Sequence, residues 1–86
     1  MIIYVKCLTY GYKGKKDQLL SVKSTDTIFS LKEKVIKKFN LDEKKNIYMF
    51  EDKTEKMLNC NCEDYYYTIS DYFSNDNFQS VTFCED

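Results

Sequence analysis

The segment at residues 24–41, STDTIFSLKEKVIKKFNL, constrains the fold more than any other part of this chain. Its apolar residues recur at steps of three and four, which places them on one face of an α-helix: Ile28, Leu31, Val35, Ile36 and Phe39. Thr27 is a suitable N-cap, and Asn40 tolerates the left-handed turn that closes a helix. The segment therefore predicts an amphipathic helix at about residues 27–39, whose single apolar stripe needs another layer to pack against.

Strand-like segments surround this helix. Near the N-terminus the residues alternate between two faces. Met1, Ile3 and Val5 lie on one face, and Ile2, Tyr4 and Lys6 lie on the other. Residues 10–16 hold both glycines of the chain, which predicts a hairpin turn. In chain order, we predict strands at 1–9 and 18–23, the helix, a strand at 46–50, a short helical turn at 68–73 and a last strand at 80–84.

This order of elements is that of the α+β β-grasp fold, in which the terminal strands pair in parallel at the centre of a mixed sheet. We predict one domain over residues 1–86, with four to five strands and the helix packed across one face. The region at 51–67 is the least regular, and we assign it to a loop.

Composition excludes several classes of function. The formal net charge is −1, and the basic residues are all lysine, so the arginine contacts typical of nucleic-acid readers are missing. The chain has no histidine and no glycine-rich phosphate loop, so we expect neither catalysis nor a cofactor. No apolar run approaches the ~20 residues of a membrane span, and we expect an intracellular protein, cytoplasmic or nuclear, that binds no membrane.

Four cysteines raise the question of a metal site. Cys60 and Cys62 are separated by one residue, whereas structural zinc sites use four ligands, usually with a longer spacer. Cys7 and Cys84 would have to complete such a site. Free thiols are the simpler interpretation for an intracellular chain, and we predict no metal, although an even number of cysteines would also permit two disulfides in a secreted protein.

Several motifs together resemble the ubiquitin family. The opening strand MIIYVKCLT, the helix start STDTI, the apolar spacing of the helix and the later segment TISDY are similar to the corresponding segments of that family, and the match extends from Met1 to about Phe83. The chain departs from the family at its end, Phe83–Cys84–Glu85–Asp86, which lacks the two terminal glycines that conjugation requires. The resemblance therefore implies a ubiquitin-like protein that is not conjugated.

The same resemblance implies a site. The family recognises partners through a flat apolar patch, which by position lies here at Leu8, Met49, Thr82 and Cys84. The alternative is that Leu8 and Met49 are ordinary scattered apolar residues of the surface. The resemblance also implies that Lys32 is partly buried against a carboxylate, for which Asp64 is the candidate.

A second candidate site lies in the loop, which is longer here than in that family. Tyr65, Tyr66 and Tyr67 are consecutive, and aromatic residues are enriched at the energetic centres of protein interfaces. The alternative is that they cover the core beneath the loop.

Three functions remain open. The first is a noncovalent protein–protein interaction module in a ubiquitin-related pathway, with a ubiquitin receptor, a ligase or another complex subunit as partner. The second is a structural subunit of a larger complex, as in adaptors of the elongin B type. The third is a divergent modifier whose tail has been lost.

Overall fold

The computed structural model describes residues 1–8, 17–44, 46–58, 60, 67–73 and 78–85. Its elements, in chain order, are strands β1 (Ile2–Cys7) and β2 (Gln18–Ser21), helix α1 (Ile28–Phe39), strands β3 (Ile47–Glu51) and β4 (Met57–Leu58), helix α2 (Ile69–Tyr72) and strand β5 (Phe78–Glu85). The hairpin turn predicted at residues 10–16 lies outside the described residues.

The five strands form one mixed sheet in the order β2-β1-β5-β3-β4. Strands β1 and β5 pair in parallel at its centre, and the other three pairings are antiparallel. Helix α1 covers one face of this sheet, which confirms the predicted α+β, β-grasp-like arrangement. Strand β4 lies where the sequence predicted only a loop, because two residues give too short a pattern to recognise. Neither described helix has the length and apolar character needed to cross a membrane.

Both ends of α1 follow the predicted capping chemistry. The Thr27 hydroxyl accepts a hydrogen bond from the Ser30 amide at 3.0 Å. At the other end Asn40 is left-handed with φ 55°, and the Leu41 amide donates back to the Ile36 carbonyl at 2.9 Å. Side chains and backbone therefore satisfy groups that a helix end would otherwise leave unpaired.

Removing the N-cap is expected to destabilise the protein modestly. Thr27→Ala deletes the only side-chain acceptor recorded for the Ser30 amide among the described residues, which should cost about 1 kcal/mol and lower Tm by roughly 4–8 °C. Thermal unfolding followed by circular dichroism measures this change. Thr25→Ala is the matched control, because Thr25 is exposed and has no recorded side-chain contact. An equal loss in both variants would contradict the capping role.

The core lies between α1 and the inner face of the sheet, which we define as the face that α1 covers. All five predicted stripe residues of the helix are buried there, and the Phe39 ring meets the Phe83 ring of β5 edge-on at a centroid distance of 4.7 Å. Lys32 is also buried, as the resemblance implied, with its ammonium 5.7 Å from the centre of the Phe29 ring. Its expected partner, Asp64, lies outside the described residues.

Helix α2 is tied to the segment that precedes α1. The Ile69 amide donates to the Asp26 carbonyl at 2.8 Å, and the Ile28 amide donates to the Tyr67 carbonyl at 3.0 Å. Thr68 and Asp71 form a capping box at the start of α2. These bonds place α2 beside the N-terminus of α1, and α2 lies within the helical turn predicted at 68–73.

Candidate functional site

The sheet has a second face, opposite α1, which we call the outer face. Successive side chains of a strand point to opposite faces, so the buried residues of each strand identify the outward ones. Ile3, Val5, Val81 and Phe83 are buried against the helix. The residues between and beyond them on all five strands point outward: Ile2, Tyr4, Lys6, Leu8, Leu19, Ser21, Tyr48, Phe50, Met57, Ser80, Thr82 and Cys84.

Strand register gathers part of this face into one apolar area. Tyr48 lies opposite Cys84, and Phe50 lies between Thr82 on β5 and Met57 on β4. Leu8 continues β1 beside this end of β5, because its amide donates to the Phe83 carbonyl at 2.7 Å. We call these residues the outer patch: Leu8, Tyr48, Phe50, Met57, Thr82 and Cys84.

Two large apolar side chains of the outer patch are mostly exposed to solvent. Leu8 is 64% exposed and Met57 is 57% exposed. Tyr48, Phe50 and Cys84 are half-buried. An apolar area with exposed side chains on a sheet face is typical of an interaction surface.

Of the four residues predicted to form the partner-binding site, the structure places three on the outer face and the fourth, Met49, in the core. Leu8, Thr82 and Cys84 all lie on the outer face. Met49 is 0% exposed and belongs to the core beneath α1, so it is unavailable to a partner. The residue that β3 contributes to the patch at this level is Phe50, one position later along the strand.

The error has a physical cause. Met49 was assigned to the patch by its position in the family resemblance. Residues 47–50 are all apolar, so alternation could not show which side of β3 is buried. Glu51 is in fact 3% exposed. Its carboxylate accepts hydrogen bonds from the Lys53 amide at 3.0 Å, the Thr54 amide at 2.7 Å and the Thr54 hydroxyl at 2.5 Å.

This carboxylate organises the turn between β3 and β4. Burial alone would raise the pKa of Glu51, but the hydrogen bonds from Thr54 and Lys53 outweigh burial and hold the pKa below its usual value. The Glu55 amide closes the turn on the Glu51 carbonyl at 2.8 Å, with Glu55 at φ 60°. After this turn, Met57 lies on the outer face next to Phe50.

A polar group lies beside the outer patch. The Asp52 carboxylate accepts hydrogen bonds from the Ser80 hydroxyl and, at 2.6 Å, from the Thr82 hydroxyl, and the Lys6 ammonium lies 3.4 Å away. Burial alone would raise the pKa of Asp52. The hydrogen bonds from the two hydroxyls and the charge of Lys6 outweigh burial, so the pKa of Asp52 lies below its usual value. Thr82 is therefore a partner of Asp52 as well as part of the patch.

The cysteines do not assemble in the described part of the structure. Cys7 lies opposite the buried Phe83 and packs against the core, whereas Cys84 points to the outer face. Cys60 is buried; its thiol donates to the Ile47 carbonyl at 3.4 Å, and burial raises its pKa. Among the residues that the structure describes, no cluster of three or more metal-ligating side chains occurs. Cys62 lies outside those residues.

The tyrosine site is only partly within the described residues. Tyr65 and Tyr66 lie outside them. Tyr67 is 47% exposed and meets the Tyr72 ring edge-on at 5.8 Å. Because the Tyr67 carbonyl binds the N-terminus of α1, Tyr67 belongs to the helix side of the sheet and is not part of the outer patch.

Sequence reasoning missed Tyr48, Phe50 and Met57 as members of the patch. One available signal was the pattern of β5, where Val81 and Phe83 are apolar and alternate with polar Ser80 and Thr82. That pattern sets the faces of β5 alone, because the register between β5 and β3 is a tertiary feature. Comparison with known proteins adds no relative: no family model matches the chain, and no curated protein matches it significantly.

Proposed function

We propose that this chain is a divergent ubiquitin-like protein that binds a protein partner noncovalently through the outer patch, in a ubiquitin-related pathway. The observation that carries the proposal is the apolar area on the outer face of the sheet, where Leu8 and Met57 are mostly exposed beside the half-buried rings of Tyr48 and Phe50. Burying such side chains at an interface is favourable because it removes apolar surface from water.

The composition of the patch supports a protein as the ligand. Aromatic residues and methionine are enriched at protein interfaces, and methionine adapts its shape to a partner. A flat sheet face with hydroxyl and thiol groups at its centre also matches the polar and apolar mixture of noncovalent interfaces. The sequence resemblance to the ubiquitin family, together with the β-grasp-like fold, supports the assignment to that pathway.

Charged substitutions in the outer patch are expected to abolish partner binding without unfolding the protein. Met57→Asp and Phe50→Asp each place a carboxylate where an apolar contact is proposed, and residues at the centre of an interface typically contribute 2 kcal/mol or more, about 30-fold in affinity. The tagged protein is purified gently from its own cells, and captured proteins are quantified by mass spectrometry for wild type and variants. We expect the captured amount of each specific partner to be at least tenfold lower with both variants than with wild type.

Thr25→Asp is the matched control, because it adds the same charge at an exposed position that precedes α1 on the other side of the sheet. This variant should capture the same partners as wild type. Partners retained equally by Met57→Asp, Phe50→Asp and wild type would refute the outer patch as the binding surface. Partners without any relation to ubiquitin pathways would refute the pathway assignment alone.

Size-exclusion chromatography of the same material distinguishes transient binding from a permanent subunit. Elution mainly as a single ~10 kDa species, with partners present below stoichiometry, is expected for a module of this size that binds reversibly. Stoichiometric co-elution at large size would instead favour the structural-subunit function and would identify the complex.

A further inference from the structure

A shallow hollow opens beside the outer patch, next to the ring of Phe50. Its lining combines this ring with the Thr82 hydroxyl side chain and three acidic residues, Glu51, Asp52 and Glu55. The hollow is continuous with the patch, since Phe50 and Thr82 belong to both. A partner that covers the patch will therefore also place some group over the hollow.

The three carboxylates of the hollow differ in the contacts that they make. That of Glu51 is buried and is used by the amides of the turn. The carboxylate of Asp52 accepts hydrogen bonds from two hydroxyls and forms an ion pair with the Lys6 ammonium at 3.4 Å. That of Glu55 is exposed, and no partner is recorded for it in the described part of the chain. The hollow thus offers one carboxylate that remains available to a ligand, beside a second that is only partly neutralised.

An aromatic face next to carboxylates favours a cation. A lysine or arginine side chain lays its alkyl stem along apolar surface and keeps its charge at the rim, where it gains both from the ring and from the acids. The lysines of the same turn, Lys53 and Lys56, are exposed but do not line the hollow. Apolar neighbours in the partner would cover the exposed Met57 and Leu8.

We propose, as an extension of the function proposed above, that the partner presents a lysine or arginine side chain, flanked by apolar residues, to the hollow formed by Phe50, Asp52, Glu55 and Thr82. The occupant is therefore a basic and apolar protein segment, rather than an acidic one. Complementary charge at such a rim selects the partner and its orientation more than it adds raw affinity.

A phage-displayed library of random dodecapeptides, selected on the immobilised protein, supplies the probe. We expect the selected peptides to share a lysine or arginine next to apolar residues, and to lose at least tenfold in affinity on Met57→Asp. Affinities are measured by fluorescence anisotropy with synthetic copies of one selected peptide. In a second copy citrulline, an uncharged analogue, replaces the arginine.

A double-mutant cycle then tests the hollow itself, by combining a substitution in the protein with the replacement of arginine by citrulline in the peptide. Glu55→Gln should lower the affinity for the arginine peptide about two- to fivefold, as expected for an exposed ion pair. The affinity for the citrulline peptide should not change. Phe50→Leu keeps apolar surface but removes the ring, and should weaken the arginine peptide by a similar factor. Glu43→Gln is the control, because Glu43 is an exposed glutamate that lines a different surface depression, against α1.

Each outcome decides between the two proposals. Peptides that need Met57 but carry no basic residue, or that show no coupling between Glu55 and the arginine, overturn the basic segment and leave the outer patch intact as a binding surface. If neither Met57→Asp nor Phe50→Asp changes the affinity for the selected peptides, both the outer patch and the basic segment are overturned for peptide ligands. A library that yields no binder also overturns the basic linear segment, and the captured-partner experiment then decides the patch alone.

Discussion

Replacing Met49 with aspartate is expected to unfold the protein. The Met49 side chain is completely buried in the core. Losing a packed methionine costs about 2–5 kcal/mol, and a buried carboxylate without a partner adds several more. Domains of this kind have a total stability of only about 5–15 kcal/mol, so the variant should lose its cooperative thermal transition by circular dichroism.

The same substitution eight positions later is the matched control. Met57 lies on β4 next to the β3 residue that follows Met49, but its side chain is 57% exposed on the outer face. Met57→Asp should change the free energy of unfolding by less than about 1 kcal/mol, because no core contact is lost. A folded Met49→Asp protein with wild-type stability would contradict the assignment of faces in β3, and with it the composition of the outer patch.

Replacing Glu51 with glutamine is expected to cost about 2 kcal/mol or more at neutral pH. The glutamate accepts three hydrogen bonds from Lys53 and Thr54, and a hydrogen bond to a charged group makes a net contribution of about 1.5–3 kcal/mol to stability. A glutamine amide turns an N–H donor toward at least one of these donors. Urea unfolding at pH 7 measures the loss, and exposed Glu43→Gln should stay within about 0.5 kcal/mol of wild type.

The same residue should contribute to acid sensitivity. Because the pKa of Glu51 is lower in the folded than in the unfolded state, its stabilisation is fully present above the unfolded pKa and is lost as the pH falls through the folded pKa. The pKa values of Asp26 and Asp52 are shifted in the same direction, Asp26 chiefly by the Lys23 amide. Wild type should therefore lose stability progressively below about pH 5.

Unfolding free energies between pH 7 and pH 3 test this expectation. Glu51→Gln should show a shallower decline than wild type, since the carboxylate of Glu51 is gone, while Asp26 and Asp52 maintain part of the slope. Glu43→Gln should keep the wild-type slope. Parallel declines in wild type and Glu51→Gln would show that the turn bonds do not depend on the glutamate charge.

The helix and the first strand could be predicted because their patterns are unambiguous. The stripe of α1 has one apolar side only, and its caps, Thr27 and Asn40, are residues whose side chain or backbone preference defines an end. In β1 the buried Ile3 and Val5 alternate with Tyr4 and Lys6, although the apolar Ile2 also lies on the outward side. Together with the order of elements, these local signals were sufficient for the β-grasp-like fold.

The candidate site was less predictable, because its residues meet only through strand pairing. Phe50, Met57 and Cys84 come from three different strands and Leu8 directly follows a fourth, and β4 is too short to show a pattern of its own. Membership of the patch therefore depends on register, and a shift of one residue moves a side chain to the other face of the sheet.

The sequence by itself determined the amphipathic helix, its two caps and the burial pattern of the strands that have one apolar side. Only the tertiary structure decided the faces of β3, where apolar residues occupy both sides. The decision depends on Glu51: its burial is possible only because the amides of Lys53 and Thr54 and the Thr54 hydroxyl replace the water it loses. This local satisfaction of one carboxylate allows Glu51 to lie on the inner face with Met49, while Phe50 lies on the outer face.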